Sequence, residues 1–215
     1  MLLSYTWAHT LDVSTDSNGG GSAMDPYNWK GSYGNANWDI RHRFVASYFY
    51  ELPFFKTSKR WGRYVLGGWQ INAITTLQSG TPINVTVSTD PPNTGRPGGM
   101  RPDLIAPAVA DCGSGRLVGC LSAASFRMPT PYNYGNAGRN LVTGPGLLDV
   151  DFSLLKNFPL HTERARLQLR LEAFNAFNTP SFSNLGATFG TSTFGSIDST
   201  LIPNRQVQIA AKIIF

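Results

Sequence analysis

No apolar run in the chain approaches the roughly 18 residues that a transmembrane helix needs, which excludes a helical membrane span. Strands that cross a membrane are not excluded, because they show only alternation. Charge is sparse: Asp, Glu, Lys and Arg make up 14% of 215 residues, against roughly a quarter in ordinary globular domains. The net charge of +5 is scattered, and its densest group is Lys56, Lys59, Arg60 and Arg63. It lacks the interleaved aromatics and the recognisable module of a nucleic-acid surface, so no nucleic-acid partner is expected. With only 2 cysteines, and no histidine near them, a zinc site lacks ligands. The opening Met1-Leu2-Leu3-Ser4-Tyr5-Thr6-Trp7 has neither a basic segment nor a sustained apolar one, and so does not read as a signal peptide.

What the chain does have is 12% aromatics, with Gly 22 and Pro 14, the profile of a strand-and-loop protein. Its clearest pattern is at the end. Val207, Ile209, Ala211, Ile213 and Phe215 form one apolar phase, while Gln206, Gln208, Ala210, Lys212 and Ile214 form a mostly polar one. A period of two is that of a β-strand with one greasy face and one wet face.

The same period predicts strands near Leu2–Leu11, Arg41–Leu52, Gly68–Ser79 and Leu147–Lys156. The third is expected to run on through Ile83 to Val87, past an irregularity at Gly80-Thr81-Pro82. Residues 163–174 are rich in helix formers, yet a helix would put Leu169 opposite Leu167 and Leu171. A strand puts Leu167, Leu169, Leu171 and Ala173 on one face and Arg166, Gln168, Arg170 and Glu172 on the other. Pattern outranks propensity here, and the segment is predicted to be a strand.

The connections alternate in length. Residues 12–40, 88–146 and 178–204 are long and rich in Gly, Asn, Ser, Pro and Asp, while 53–67 and 157–162 are short. Long extracellular loops and tight periplasmic turns are the signature of a transmembrane barrel, and a soluble sandwich seldom holds so long a structureless loop as 88–146. Aromatics fall on the apolar phases, several near strand ends where interfacial girdles sit: Tyr5, Trp7, Phe44, Tyr48, Tyr50, Trp69 and Phe152. The fold class expected is all-β: an antiparallel, up-and-down transmembrane barrel portion of about six strands, an open curved sheet if alone.

Several strings then match a known family. They are Asp39-Ile-Arg-His-Arg-Phe-Val-Ala-Ser-Tyr48 with Glu51-Leu-Pro-Phe54; Leu66-Gly-Gly-Trp69 through Pro82; Asn136-Ala-Gly-Arg-Asn140; Gly144-Pro-Gly146; and Glu172-Ala-Phe-Asn-Ala-Phe-Asn178. In this order they resemble the carboxyl-terminal barrel of Oar-like TonB-dependent receptors, the type carrying a carboxypeptidase-regulatory-like domain. The resemblance implies an outer-membrane address, outer-membrane lipid as neighbour, and ligand uptake by binding and gated passage. It also implies that residues 1–215 are the last part of a larger barrel, whose plug and signal peptide are absent from this sequence. Any TonB contact would run through that missing plug. The closing strand, ending on Phe215, resembles the signal read by the barrel-assembly machinery, with Val207, Ile209, Ala211 and Ile213 on the same face.

No chemistry of bond making is expected. His9, His42 and His161 have no ligand-spaced companions, and Asp12, Asp16, Asp25 and Asp39 with Asn18 and Asn28 lack a calcium-loop spacing. Asp149 and Asp151 share the polar face with Arg166, Arg170 and Glu172, where cross-strand pairing outweighs a catalytic carboxylate pair. Gly95, Gly98 and Gly99 around Arg96-Pro97 open no helix and make no phosphate cradle. With no nucleophile–base pair, the chain is expected to be no enzyme and to need no cofactor or metal. Cys112 and Cys120, in a loop-rich segment of an exported-looking chain, are expected to form a disulfide. The rival from another class is a secreted β-sandwich carbohydrate-binding module, with Tyr33, Trp38 and Tyr132 stacking on sugar.

Overall fold

The structure, a computed structural model, describes residues 1–13, 23–53, 65–95, 99–112, 116–160 and 165–215. Asp16, Asn18, Phe54, Lys56, Lys59, Arg60, Arg63, Arg96, Pro97, Gly98, His161 and Glu163, named above, lie outside the described residues. Six long strands are present: β1 (Leu2–Trp7), β2 (His42–Glu51), β3 (Trp69–Gln78), β4 (Leu147–Pro159), β5 (Arg166–Phe174) and β6 (Gln206–Ile214). They form one antiparallel sheet in which every strand lies beside its neighbours in the chain. The order is up-and-down, the sheet is open, and β1 and β6 are its edges. Strands β2 to β6 have 9 to 13 residues, the length that a tilted strand needs to cross hydrocarbon.

The register joins the period-two patterns of separate strands into continuous rows. Tyr50, Ile71, Leu154, Leu171 and Ile209 stand opposite one another across five strands. Tyr5, Phe44, Leu77 and Leu148 make a second such row. The other face carries Asn72, Ser153, Glu172 and Gln208, with Phe49 as an apolar exception. Because directly paired residues share a face, a one-residue slip in any strand would mix the two sets. Among the described residues no second layer packs against the apolar rows. Ile209 is 81% exposed and Phe215 95% exposed.

One residue breaks the apolar phase. Lys156 sits in it, between Trp69 and Leu169. Its Nζ donates to the Gly67 carbonyl oxygen and lies 5.3 Å from the Trp69 ring and 5.0 Å from the Phe158 ring. All of these groups are at the short-turn end of the sheet. Lys156 is buried there, its ammonium held by a carbonyl and two ring faces, which makes a charge acceptable in the apolar phase. This adds Lys156 and Phe158 to the girdle that the sequence pattern drew from aromatics alone.

The long connections depart from expectation. They are folded, and they hold the buried core. Ile83 and Val85, just after β3, and Cys120, Leu121, Phe126 and Val142 from the second long loop pack with Leu185 and Ile197 from the third. Phe126, Phe189 and Phe194 add edge and tilted ring contacts at 5.5 to 6.0 Å. Burying each such side chain contributes about 1.5–3 kcal/mol. Four two-residue ladders knit the layer: Leu11–Asp12 with Gly34–Asn35, Pro82–Ile83 with Val142–Thr143, Thr86–Val87 with Thr188–Phe189, and Asp103–Leu104 with Phe126–Arg127. So β1 stops at Trp7, short of Leu11, and β3 stops at Gln78. At Gly80 the chain comes against the Gly144 carbonyl oxygen, too close for any Cβ, and Pro82 has no N–H to continue a ladder. The strand turns away there into the loop layer. A single large sheet with a loop layer at one end is not two face-packed sheets, so the β-sandwich alternative is set aside.

Leu169, level with Lys156, lies toward the short-turn rim, so the mid-membrane test of this register falls on Leu171. In lipid vesicles, Leu171→Arg should destabilise the barrel by about 2–4 kcal/mol in a urea titration, and Gln168→Arg on the polar face much less. Equal tolerance of the two would mean that the apolar rows do not face lipid.

Candidate functional site

The junctions between sheet and loops are closed by buried polar side chains. Asp39, 2% exposed, accepts from the Thr10 amide at 2.7 Å and from Arg41 Nε at 2.7 Å, and so ties both ends of the first long loop together. Arg41 Nη2 also donates to Asn35 Oδ1 at 3.1 Å. Burial pushes the Asp39 carboxyl up, but the Thr10 amide, Arg41 and the His9 charge outweigh it, and its pKa lies below the ordinary 3.8.

The second loop docks on the first through Arg139 and Asn140. Arg139 pairs with the Asp12 carboxylate and donates to the Asp12 carbonyl oxygen at 2.9 Å. Asn140, with φ of 51°, donates to the Asn35 carbonyl oxygen at 2.6 Å and to Asn37 Oδ1 at 2.7 Å, while Asn35 Nδ2 returns a bond to the Asn140 carbonyl. Gly34 lets the chains meet: a Cβ there would stand 2.6 Å from the Arg139 carbonyl oxygen. The third loop closes similarly. The Asn175 amide donates to Asp151 Oδ1 at 3.1 Å, and its side chain donates to the Thr179 and Pro203 carbonyls.

Between the first and second loops lies a cavity of about 460 Å³, lined among others by Met24, Asp25, Asn28, Ser32, Tyr33, Arg101 and Asn136. Its size is that of a small-molecule pocket. Arg101 is 3% exposed, and its Nη2 donates to the Gly31 carbonyl oxygen at 2.5 Å. Its Nε has no partner, and among the described residues no carboxylate pairs with it. Burial pushes the Arg101 pKa down, and the nearby Arg139 charge adds to the shift.

The predicted site residues scatter. Tyr33 lines the cavity, whereas the exposed Trp38 and Tyr132 do not. His9 Nε2 meets Asn35 Oδ1 at 3.2 Å, and His42 Nδ1 meets the Tyr5 hydroxyl at 2.8 Å. Asp149 and Asp151 do not pair across the wall as expected. Asp151 caps the third loop through Asn175, and Arg170 reaches Glu172 of its own strand at 3.9 Å. The register is the reason: Leu155 stands opposite Arg170, and neither Asp149 nor Asp151 does. Gly95 and Gly99 have positive φ, and the Gly95 amide donates to Asp90 Oδ2, so this turn is closed by its own side chain. Cys112 and Cys120 are free thiols in contact within the loop layer; burial, then the Cys120 thiol and Asp111, push the Cys112 pKa up to about 12. Val207, Ile209, Ala211, Ile213 and Phe215 are all exposed along the β6 edge, with Ala211 opposite Leu169 in the ladder.

Sequence reasoning missed Arg101, a lone arginine in a loop with no local pattern to mark it. The strings at Asp39, Asn136–Asn140 and Glu172–Asn178 did carry a signal, and their buried side chains are the ones that close the loops.

A carboxyl held below its ordinary value adds stability above pH 3.8, and that stability fades as pH falls through the lower folded value. Replacing Asp39→Ala should therefore cost about 1–3 kcal/mol of loop closure at neutral pH, read as faster proteolysis within the first loop. Near pH 3 the wild-type protein should approach the variant's rate. A variant cleaved at the wild-type rate at neutral pH would show that Asp39 does not hold the loop.

A family model described as an outer membrane beta barrel domain matches residues 1–208. No curated protein and no solved structure matches the chain.

Proposed function

This chain belongs to the outer membrane beta barrel domain family and its place is the outer membrane; within that family, we propose that it is part of a TonB-dependent, Oar-like receptor that takes up a ligand by binding and gated passage. The observation that carries this reading is the folded outer layer. The second and third long loops share one core, and the first and second enclose a cavity at the end opposite the short turns. A simple pore has no need to build a binding layer over its mouth, and a receptor does. The open edges at β1 and β6 support a larger barrel, because each unpaired backbone group in hydrocarbon costs several kcal/mol and the smallest closed barrels have about eight strands. Coupling to the TonB complex would run through a plug outside these residues. The role is transport and not catalysis, with no cofactor or metal. Its partners are outer-membrane lipid and the barrel-assembly machinery, and nucleic acid is not among them.

Solute depletion tests the reading. Cells lacking this gene and cells lacking TonB should leave the same solute unconsumed in a shared medium. Depletion that survives loss of TonB or collapse of the proton gradient would remove TonB-dependent uptake.

The exposed apolar edge of β6 is proposed as the assembly signal. Deleting Phe215 should lower outer-membrane yield while leaving depletion per assembled molecule unchanged. Wild-type yield after the deletion would show that the aromatic end is not read.

In the oxidising periplasm, Cys112 and Cys120 are proposed to join. The cross-link would add about 2–3 kcal/mol in the chain-entropy picture. Unreduced mass spectrometry should find the peptide pair two hydrogens light, and two alkylatable thiols in surface-purified protein would exclude the bond.

A further inference from the structure

The cavity between the first and second loops contains an arginine that no carboxylate pairs with among the described residues. Arg101 is buried, its Nε has no partner, and its one hydrogen-bond acceptor among the described residues is a neutral carbonyl, that of Gly31. Arg139, whose charge acts on Arg101, is already committed to Asp12. An unpaired buried cation is costly, and proteins normally pair it or neutralise it. A guanidinium is almost never neutralised, so the remaining resolution is an external anion.

The position is held by design of the backbone. A Cβ on Gly135 would run into the carbonyl oxygens of Arg101 and Pro102, and the Arg101 amide is itself engaged, donating toward Met24 Sδ at 3.4 Å. The arginine is therefore fixed against the first loop. Asn28, Ser32, Tyr33 and Asn136 supply neutral hydrogen-bonding groups around it. Asp25 also lines the cavity, its Oδ1 accepting from the Tyr27 amide at 2.9 Å. Lys30 lines the cavity as well, so the Asp25 and Lys30 charges offset each other and one guanidinium is left to match a single negative charge. Planar carboxylate geometry fits the guanidinium fork.

We propose that this cavity binds a small organic monocarboxylate, with Arg101 as its counter-charge. The inference rests on the receptor reading above, in which the loop layer faces the medium, and it names the class of ligand captured there.

The test uses the protein in outer-membrane vesicles and saturation-transfer NMR with N-acetylglycine as the probe, against the uncharged N-acetylglycinamide. N-acetylglycine should bind at least tenfold more tightly than the amide. Arg101→Met should weaken it at least tenfold, and Arg101→Lys should restore part of the loss. Gly138→Trp provides an independent check, because Gly138 lines the cavity and a Cβ there meets only the Leu141 Cβ at 3.8 Å, so a ring can be added without a backbone clash at its base. It should abolish binding in protein whose loops resist proteolysis normally. Equal binding of acid and amide, or acid binding unaffected by Gly138→Trp, would overturn the proposal. Solute depletion that still needs TonB alongside either result would leave the transporter reading intact, so the two failures are distinguishable.

Discussion

The fold depends on one constraint: a sheet with lipid against one face cannot use that face to build a core. In a soluble sheet protein the apolar rows would meet a second layer and supply the stability. Here the row through Tyr50, Ile71, Leu154, Leu171 and Ile209 meets no second layer among the described residues. What holds the strands is their hydrogen-bond ladder, which satisfies each interior strand on both sides. The packed interior has to lie elsewhere, and it lies in the loops. Val85, Leu121, Phe126 and Val142 are buried in a layer outside the sheet's span. The chain is thus stabilised in two places by two different means, hydrogen bonding where water is absent and hydrophobic burial where water is present.

That division makes the junctions decisive. Each long loop leaves the sheet and must return to an adjacent strand, and the closure entropy rises only slowly with length. A few well-placed side chains suffice to close each one. Asp39 does this for the first loop, Asn175 and Asn178 for the third. Asn140, Asn175 and Asn178 all adopt φ near +50°, the left-handed region that asparagine tolerates better than other side chains. Asparagine serves twice at such a corner, since it accepts the backbone turn and its amide then satisfies carbonyls that the turn leaves open.

This explains which parts were legible in the sequence. Strand positions and register were readable because lipid on one side and water on the other impose a period of two, residue by residue. Even the segment rich in helix formers gave up its state to that period, and Arg166–Phe174 is a strand, β5. The loop layer was unreadable in detail because its contacts join residues far apart: Asn35 meets Asn140 across 105 positions and Asp12 meets Arg139 across 127. No local pattern encodes such a pair. Lys156 was hidden for a different reason. It occupies an apolar phase, and only its depth in the sheet, beside Trp69 and Phe158, makes a charge acceptable there.

Arg101 and Arg139 of the second loop show how the loop layer separates holding from binding. Arg139 and Arg101 both reach across to the first loop, and both are largely withdrawn from water. Arg139 finds a carboxylate, Asp12, and so completes a neutral contact that fastens one loop to the other. Arg101 finds a carbonyl and leaves its Nε without a partner. A buried pair of this kind is strongly destabilised when one partner is removed, which suits a permanent clasp. A buried cation whose partner arrives from outside couples the loop–loop contact to the ligand: whatever neutralises Arg101 also relieves the cost of holding the two loops together. In a layer whose core is shared by loops two and three, the docking of loop one is then the step that an incoming anion strengthens most.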